Sequence, residues 1–205
     1  MGENGMKRVI FYLHGKGGSA AEAERYRTLC PGYDVVGLDY RGTTPWDTAD
    51  EIRSVCADLR SRYDAVILLA NSIGAYFAMN AGAVVDRAFL ISPIVDMERL
   101  ICDMMTWANV TEDLLRERGR IETDFGETLS WEYLCYVRAH PIRWAVPTAV
   151  LYGEKDHLTS QETISRFAER TGAALTVMEQ GEHWFHTPEQ MAVLDRWLTG
   201  GLPGD

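Results

Sequence analysis

The sequence predicts an α/β fold in which a mostly parallel sheet carries helices on both faces. Three observations lead there. Short, continuous apolar runs suit strands buried on both sides, stretches of helical period lie between them, and one such strand breaks at a serine directly into a helix. The chain has 205 residues, 46 % of them hydrophobic and 24 % charged. That is enough for one substantial core, so a single domain over residues 1–205 is expected.

After a polar leader, Arg8 to Gly15 (RVIFYLHG) reads as a buried strand that ends in the glycine loop GKGGS, with a helical stretch from about Ala20. YDVVGLDY is a second strand. TPWDTADEIRSVCADLRSRY then gives a clear helix: Ile52, Val55, Cys56 and Leu59 form one apolar stripe, and Thr48 with Glu51 fits a capping box. DAVILLA is the next strand, ANSIG its break, and RAFLISPI the strand that follows the next helix.

The alternation stops between Asp96 and about Arg143. Met97, Leu100, Ile101, Met104 and Ala108 have helical spacing, TEDLLRER and SWEYLCYVRAH read as two more helices, and a short hairpin fits at Phe125-Gly126. This 96–143 insert is expected to be a small, mainly helical lid. Its aromatic residues and those just beyond it (Trp107, Trp131, Tyr133, Tyr136, Trp144) fit either the lining of an apolar pocket or the lid's own core. The pattern resumes with PTAVLYG as a strand, SQETISRFAERTG as a helix closed by Gly172, ALTVMEQ as a strand, and PEQMAVLDRWLT as a final helix with Pro188 at its start. The tail GGLPGD is expected to be mobile.

The formal net charge of -10 argues against nucleic-acid or anionic-membrane partners and leaves small molecules or proteins. Four scattered cysteines (Cys30, Cys56, Cys102, Cys135) without a CxxC pair fit free thiols in a reducing compartment rather than disulfides or a metal site. MGENGMKR lacks the apolar stretch of a secretion signal, and no run is apolar and long enough to span a bilayer, so a cytoplasmic location is expected. Nothing in the sequence bears on oligomeric state.

In a parallel sheet, ligands bind beyond the carboxyl ends of the strands. The polar residues there are His14 to Gly18, Asp39, Ser72, Ser92, Asp96, Asp156 and His183. Three of them have complementary chemistry. A serine needs a base to take its proton, an imidazole is the usual base, and a carboxylate orients and stabilises the imidazolium. Ser72, His183 and Asp156 supply these in the chain order Ser, Asp, His.

ANSIG on a strand-turn-helix, HGKGG after an early strand, LYGEKDHL around Asp156 and GEHWF around His183 together resemble the alpha/beta-hydrolase superfamily, from about Arg8 to Thr199. Ala70 stands where its G-x-S-x-G elbow has the first glycine. The resemblance implies Ser72 as nucleophile, Asp156 as acid and His183 as base. Backbone N–H groups of Lys16 and Ile73 would form the oxyanion hole, and no cofactor or metal would be needed. Asp96 is the substitute for Asp156. His157 and His140 read as surface or structural residues, and His186 as exposed or capping the last helix. His14 is expected to brace the loop that presents Lys16. GKGGS lacks the spacing of a phosphate loop.

The implied function is hydrolysis of a carboxylic ester, thioester or amide of a small molecule with an apolar or aromatic group, through an acyl-enzyme. The alternative is a catalytically silent hydrolase-fold protein that binds a small ligand.

Overall fold

The computed structural model describes residues 6–203; most of the polar leader and the last two residues of the tail lie outside them. The strands are β1 (Arg8–Leu13), β2 (Asp34–Leu38), β3 (Ala65–Asn71), β4 (Arg87–Ile91), β5 (Arg120–Glu122), β6 (Thr128–Ser130), β7 (Thr148–Gly153) and β8 (Ala174–Met178). The helices are α1 (Glu24–Leu29), preceded by a 3-10 turn at Ala20–Ala23, α2 (Pro45–Arg62), α3 (Ile73–Asn80), α4 (Met97–Trp107), α5 (Glu112–Arg118), α6 (Trp131–Ala139), α7 (Gln161–Thr171) and α8 (Pro188–Gly201).

Six strands form one sheet in the order β2-β1-β3-β4-β7-β8, and every pair is parallel. Burial on both faces explains the continuous apolar runs. Ile10, Tyr12, Ile67, Leu69, Phe89, Ile91 and Leu151 pack with Tyr26 of α1 and with Leu194 and Leu198 of α8. The alternate residues Val9, Phe11, Leu13, Val66, Leu68, Leu90 and Val150 are equally buried and project to the other side of the pleat. There α2 and α3 pack against each other and against β3.

Two local expectations are corrected. Helix α2 starts at Pro45, and its cap is Thr44, whose side chain accepts from the Asp47 N–H. Thr48 is fully buried inside the helix, and its hydroxyl donates to the Thr44 carbonyl, so it forms no capping box with Glu51. Proline at the first helical position needs no amide partner, which moves the start one turn earlier. The tail is also held as far as it is described. Gly200 and Gly201 continue α8, and the Pro203 carbonyl accepts from Arg8 and from the Tyr33 hydroxyl.

The chain divides into two compact units, one comprising residues up to Val95 and from Arg143 onward, the other Asp96–Ile142. In the second, β5 and β6 form an antiparallel hairpin whose turn uses Gly126 at φ 81°. Arg138 of α6 reaches Glu98 of α4 and Glu112 of α5 at 2.8 Å each, and its hydrogen bonding to Glu112 holds that carboxyl below its ordinary value. The most deeply buried side chains of this unit are aliphatic: Leu115, Leu129 and Leu134. Its aromatic residues do not form that core. Trp107 is half exposed, edge-on to the exposed Phe125, while Trp131, Tyr133 and Tyr136 are only partly buried. Trp144 belongs to the first unit, buried and donating to Thr148.

Candidate active site

Because β1, β3, β4, β7 and β8 run in parallel, their carboxyl ends share one edge of the sheet. The register sets Leu13 beside Ala70, Asn71 beside Ile91, and Gly153 beside Met178. Each candidate side chain comes from a segment that leaves this edge.

Ser72 is the single residue between β3 and α3, at φ 52° and ψ -120°. A non-glycine residue there costs on the order of 1–3 kcal/mol and persists only when its surroundings impose it. They do so through the main chain: the Ser72 N–H donates to the Ile91 carbonyl at 3.0 Å, and its carbonyl accepts from Ile94 N–H at 3.2 Å and from Ala75 N–H at 3.2 Å. A serine in front of a helix ordinarily caps it. Here the hydroxyl makes no cap bond; it lies 2.8 Å from Nε2 of His183.

Gly74 must be small for a reason that the sequence did not reveal. A Cβ there would collide with the carbonyl oxygen of His14 and lie 2.9 Å from that of Leu13. The close approach is thus between α3 and the end of β1.

The same approach fixes the glycine loop. A Cβ on Gly15 would lie 3.3 Å from that of Ser72, so the first residue of the loop, immediately before Lys16, packs against the serine. The loop is tied down at several points. Tyr40 donates to the His14 carbonyl at 2.8 Å, and Nδ1 of His14 donates to the Gly15 carbonyl at 2.8 Å. The His14 ring stacks on Tyr40 with centroids 4.2 Å apart. Glu22 accepts from the Ser19 N–H at 3.0 Å and from the Tyr12 hydroxyl. Burial, then the bond to Glu22, raises the Tyr12 phenol far above its ordinary value, which keeps it a donor.

Asp156 follows β7. Its side chain is fully buried, Oδ1 accepts from the Leu158 N–H at 2.8 Å and the Thr159 N–H at 3.2 Å, and Oδ2 lies 2.7 Å from Nδ1 of His183. Beneath it, Tyr152 donates to the Thr159 carbonyl at 2.8 Å; burial, with the Asp156 charge added, pushes that phenol up to about 12. His183 follows β8, and its loop is held against β7. A Cβ on Gly153 would lie 2.5 Å from the Glu182 carbonyl oxygen, and one on Gly181 3.0 Å from Gly153 Cα. Glu154 accepts from both the backbone and the side chain of Gln180, which sits at φ 58°.

Ser72, His183 and Asp156 therefore form one hydrogen-bonded row. The alternative acid and the other histidines have different partners. Asp96 is the N-cap of α4 and accepts from Arg99 N–H. His140 stacks on Tyr136, His157 is exposed, and His186 is exposed against Trp184. The cap of α8 is Thr187 rather than His186. Gly153, Gly181, Tyr40 and Glu22 were missed by sequence reasoning. Only the glycines carried a signal, one at the end of each strand segment that delivers the acid or the histidine.

The alpha/beta hydrolase family model matches residues 10–196, so this chain belongs to the alpha/beta hydrolase family. No curated protein matches the chain. Among solved structures it is similar to Est1E from Butyrivibrio proteoclasticus with ferulic acid bound, at 16 % identity over 96 % of this chain and 90 % of that one, with a TM-score of 0.72. It is also similar to Thermogutta terrifontis esterase 2 phosphoramylated by tabun, at 19 % identity over 95 % and 83 % of the two chains, with a TM-score of 0.64. A third is the type II thioesterase BorB from the borrelidin biosynthetic cluster, at 18 % identity, 96 % and 93 % coverage and a TM-score of 0.60. At these identities the likeness establishes the fold. No helix among the described residues is long and apolar enough to cross a membrane.

Proposed function

We propose that the protein is a serine hydrolase, carboxylesterase-like, in which Ser72 is the nucleophile, His183 the base and Asp156 the acid. The observation that carries this reading is the row Ser72 Oγ, His183 Nε2, His183 Nδ1, Asp156 Oδ2, with spacings of 2.8 and 2.7 Å. A carboxylate accepts, so Nδ1 carries the proton and Nε2 presents its lone pair to the serine hydroxyl.

In the first step Oγ bonds to the substrate carbonyl carbon while its proton passes to Nε2. The carbonyl π electrons move to oxygen, and the backbone N–H groups of Ile73 and Lys16 stabilise that oxyanion. Collapse breaks the bond to the leaving group, which takes the proton from Nε2 and leaves an acyl-enzyme. Water then attacks with His183 again as base, and Ser72 is released. No step calls for a cofactor or metal.

The Asp96–Ile142 unit is read as a lid insert, and the substrate as a small molecule with an apolar or aromatic group. Support for the latter is the ferulic acid bound by Est1E, and Trp184, next to His183 and 68 % exposed. Four free cysteines favour a reducing compartment, hence the cytoplasm. An organophosphonate probe tests the nucleophile: wild type is labelled, and Ser72→Ala is not. Wild type that neither labels nor hydrolyses short-chain p-nitrophenyl esters would sink the reading. Screening acyl chains then defines the substrate.

A further inference from the structure

Ser72 is not the one strained serine at this sheet edge. Ser92, directly after β4, has φ 42°, is fully buried, and its hydroxyl has no hydrogen-bond partner among the described residues. Serine has no special tolerance for this region, unlike glycine or asparagine, and a buried hydroxyl without a partner is unfavourable. Two local costs at one residue need a reason.

The main chain around it supplies one. Ile91, just before Ser92, accepts from the Ser72 N–H; Ile94, two residues after it, donates to the Ser72 carbonyl; and the N–H of Ser92 itself points the other way, to the Leu151 carbonyl of β7 at 2.8 Å. Within four residues the chain must offer an acceptor toward β3, a donor toward β7, and a donor toward β3 again. The first two groups belong to one trans peptide and point apart as in any strand; the Ile94 N–H is the departure, since a regular strand would turn it toward β7, and the positive φ at Ser92 lies between the two directions. Pro93 follows, with a fixed φ and no N–H to satisfy.

We infer that Ser92 is a positioning residue: its left-handed turn makes the Ile91–Ile94 segment a clamp that grips both sides of the Ser72 peptide and holds the nucleophile elbow in its strained conformation. The inference rests on Ser72 being the nucleophile. The backbone turn, not the Ser92 hydroxyl, is the working part.

Two substitutions separate those components. Ser92→Gly removes the hydroxyl and keeps positive φ accessible; Ser92→Thr keeps a hydroxyl and adds β-branching, which opposes positive φ. The expected result is a glycine variant within about threefold of wild type and a threonine variant at least about tenfold lower in kcat with KM little changed, because a displaced nucleophile slows chemistry more than binding. Phosphonate labelling of Ser72 should slow in parallel. Amide hydrogen exchange over residues 71–75 reads the clamp without turnover. It should be faster in the threonine variant than in wild type or the glycine variant.

The opposite order, with the glycine variant losing tenfold or more, would assign the role to the hydroxyl and overturn the inference; it decides even if the threonine variant does not fold. Equal exchange at 71–75 in all folded variants would overturn it as well. A wild type that is inert toward esters and probe, yet shows the exchange pattern, would retain the clamp and refute the nucleophile.

Discussion

The two sides of the candidate site reach their geometry by different means. On the nucleophile side, Ser72 is placed by its own backbone: a strained φ, main-chain hydrogen bonds to the end of β4, and a glycine that lets α3 press against β1. On the other side, Asp156 and His183 are placed by their side chains, since the carboxylate is filled by two N–H groups and one imidazole. The positive φ there falls on Gln180, away from the reacting groups. A hydroxyl on a one-carbon stem has a single χ angle, so its reach is set chiefly by the main chain. A carboxylate or an imidazole has a plane and two polar ends, and hydrogen bonds suffice to orient it.

The contrast predicts which substitutions each side tolerates. Replacing the reacting atoms should cost most: Ser72→Ala is expected to lower kcat by 10⁴-fold or more in p-nitrophenyl ester hydrolysis, on the order found when a triad member is removed. Asp156→Asn comes next, at about 10⁴-fold. The asparagine oxygen would keep the Leu158 and Thr159 N–H groups, turning its NH₂ toward Nδ1 and reversing the tautomer of His183. Asp96→Asn in the same assay should change little, and the reverse ranking would show the acid assignment to be wrong.

Backbone substitutions sharpen the comparison. Gly74→Ala drives a methyl into the His14 carbonyl, and Gly153→Ala drives one into that of Glu182. Each is expected to destabilise by about 1–3 kcal/mol, read from urea unfolding. At the nucleophile side the shift moves Ser72 and the glycine loop together, so Gly74→Ala should also lose roughly 10²-fold in kcat. Gly153→Ala should lose less, because the Asp156–His183 hydrogen bond can follow a displaced loop. Equal losses would deny that the two sides are held differently.

The smallest effect lies outside the site. Burial pushes the Cys30 and Cys56 thiols from 9.0 up to about 11, and the unfolded chain gives up these protons earlier than the folded one. Their contribution is intact below about pH 9 and lost as the pH rises toward 11. Thermal unfolding across that window should show a decline, and it should be shallower in Cys56→Ala.

Much of this was legible in the chain. The parallel sheet followed from continuous apolar runs such as VILLA, and the choice of Ser72, Asp156 and His183 as candidates rested on their places just beyond strands, their complementary chemistry and the family resemblance. The start of α2 was misplaced although Pro45 marks it in the sequence, because Thr48 and Glu51 also match a capping pattern; the structure shows Thr48 buried inside the helix. Likewise the insert's aromatic residues fitted either a pocket lining or the insert's own core, and leucines occupy that core. Local pattern ranks residue types; it does not say which neighbours will crowd them.

What the sequence determined by itself, then, was the order of elements and the residues delivered to one sheet edge, because periodicity and strand ends are local properties. Only the tertiary structure decided that the Ser72 hydroxyl meets His183 rather than capping α3, that Gly74 and Gly153 are small to admit backbone from distant segments, and that Ser92 turns the chain around Ser72. Each of these depends on atoms far apart in the chain coming within hydrogen-bond or van der Waals distance, and spacing along the sequence does not encode that.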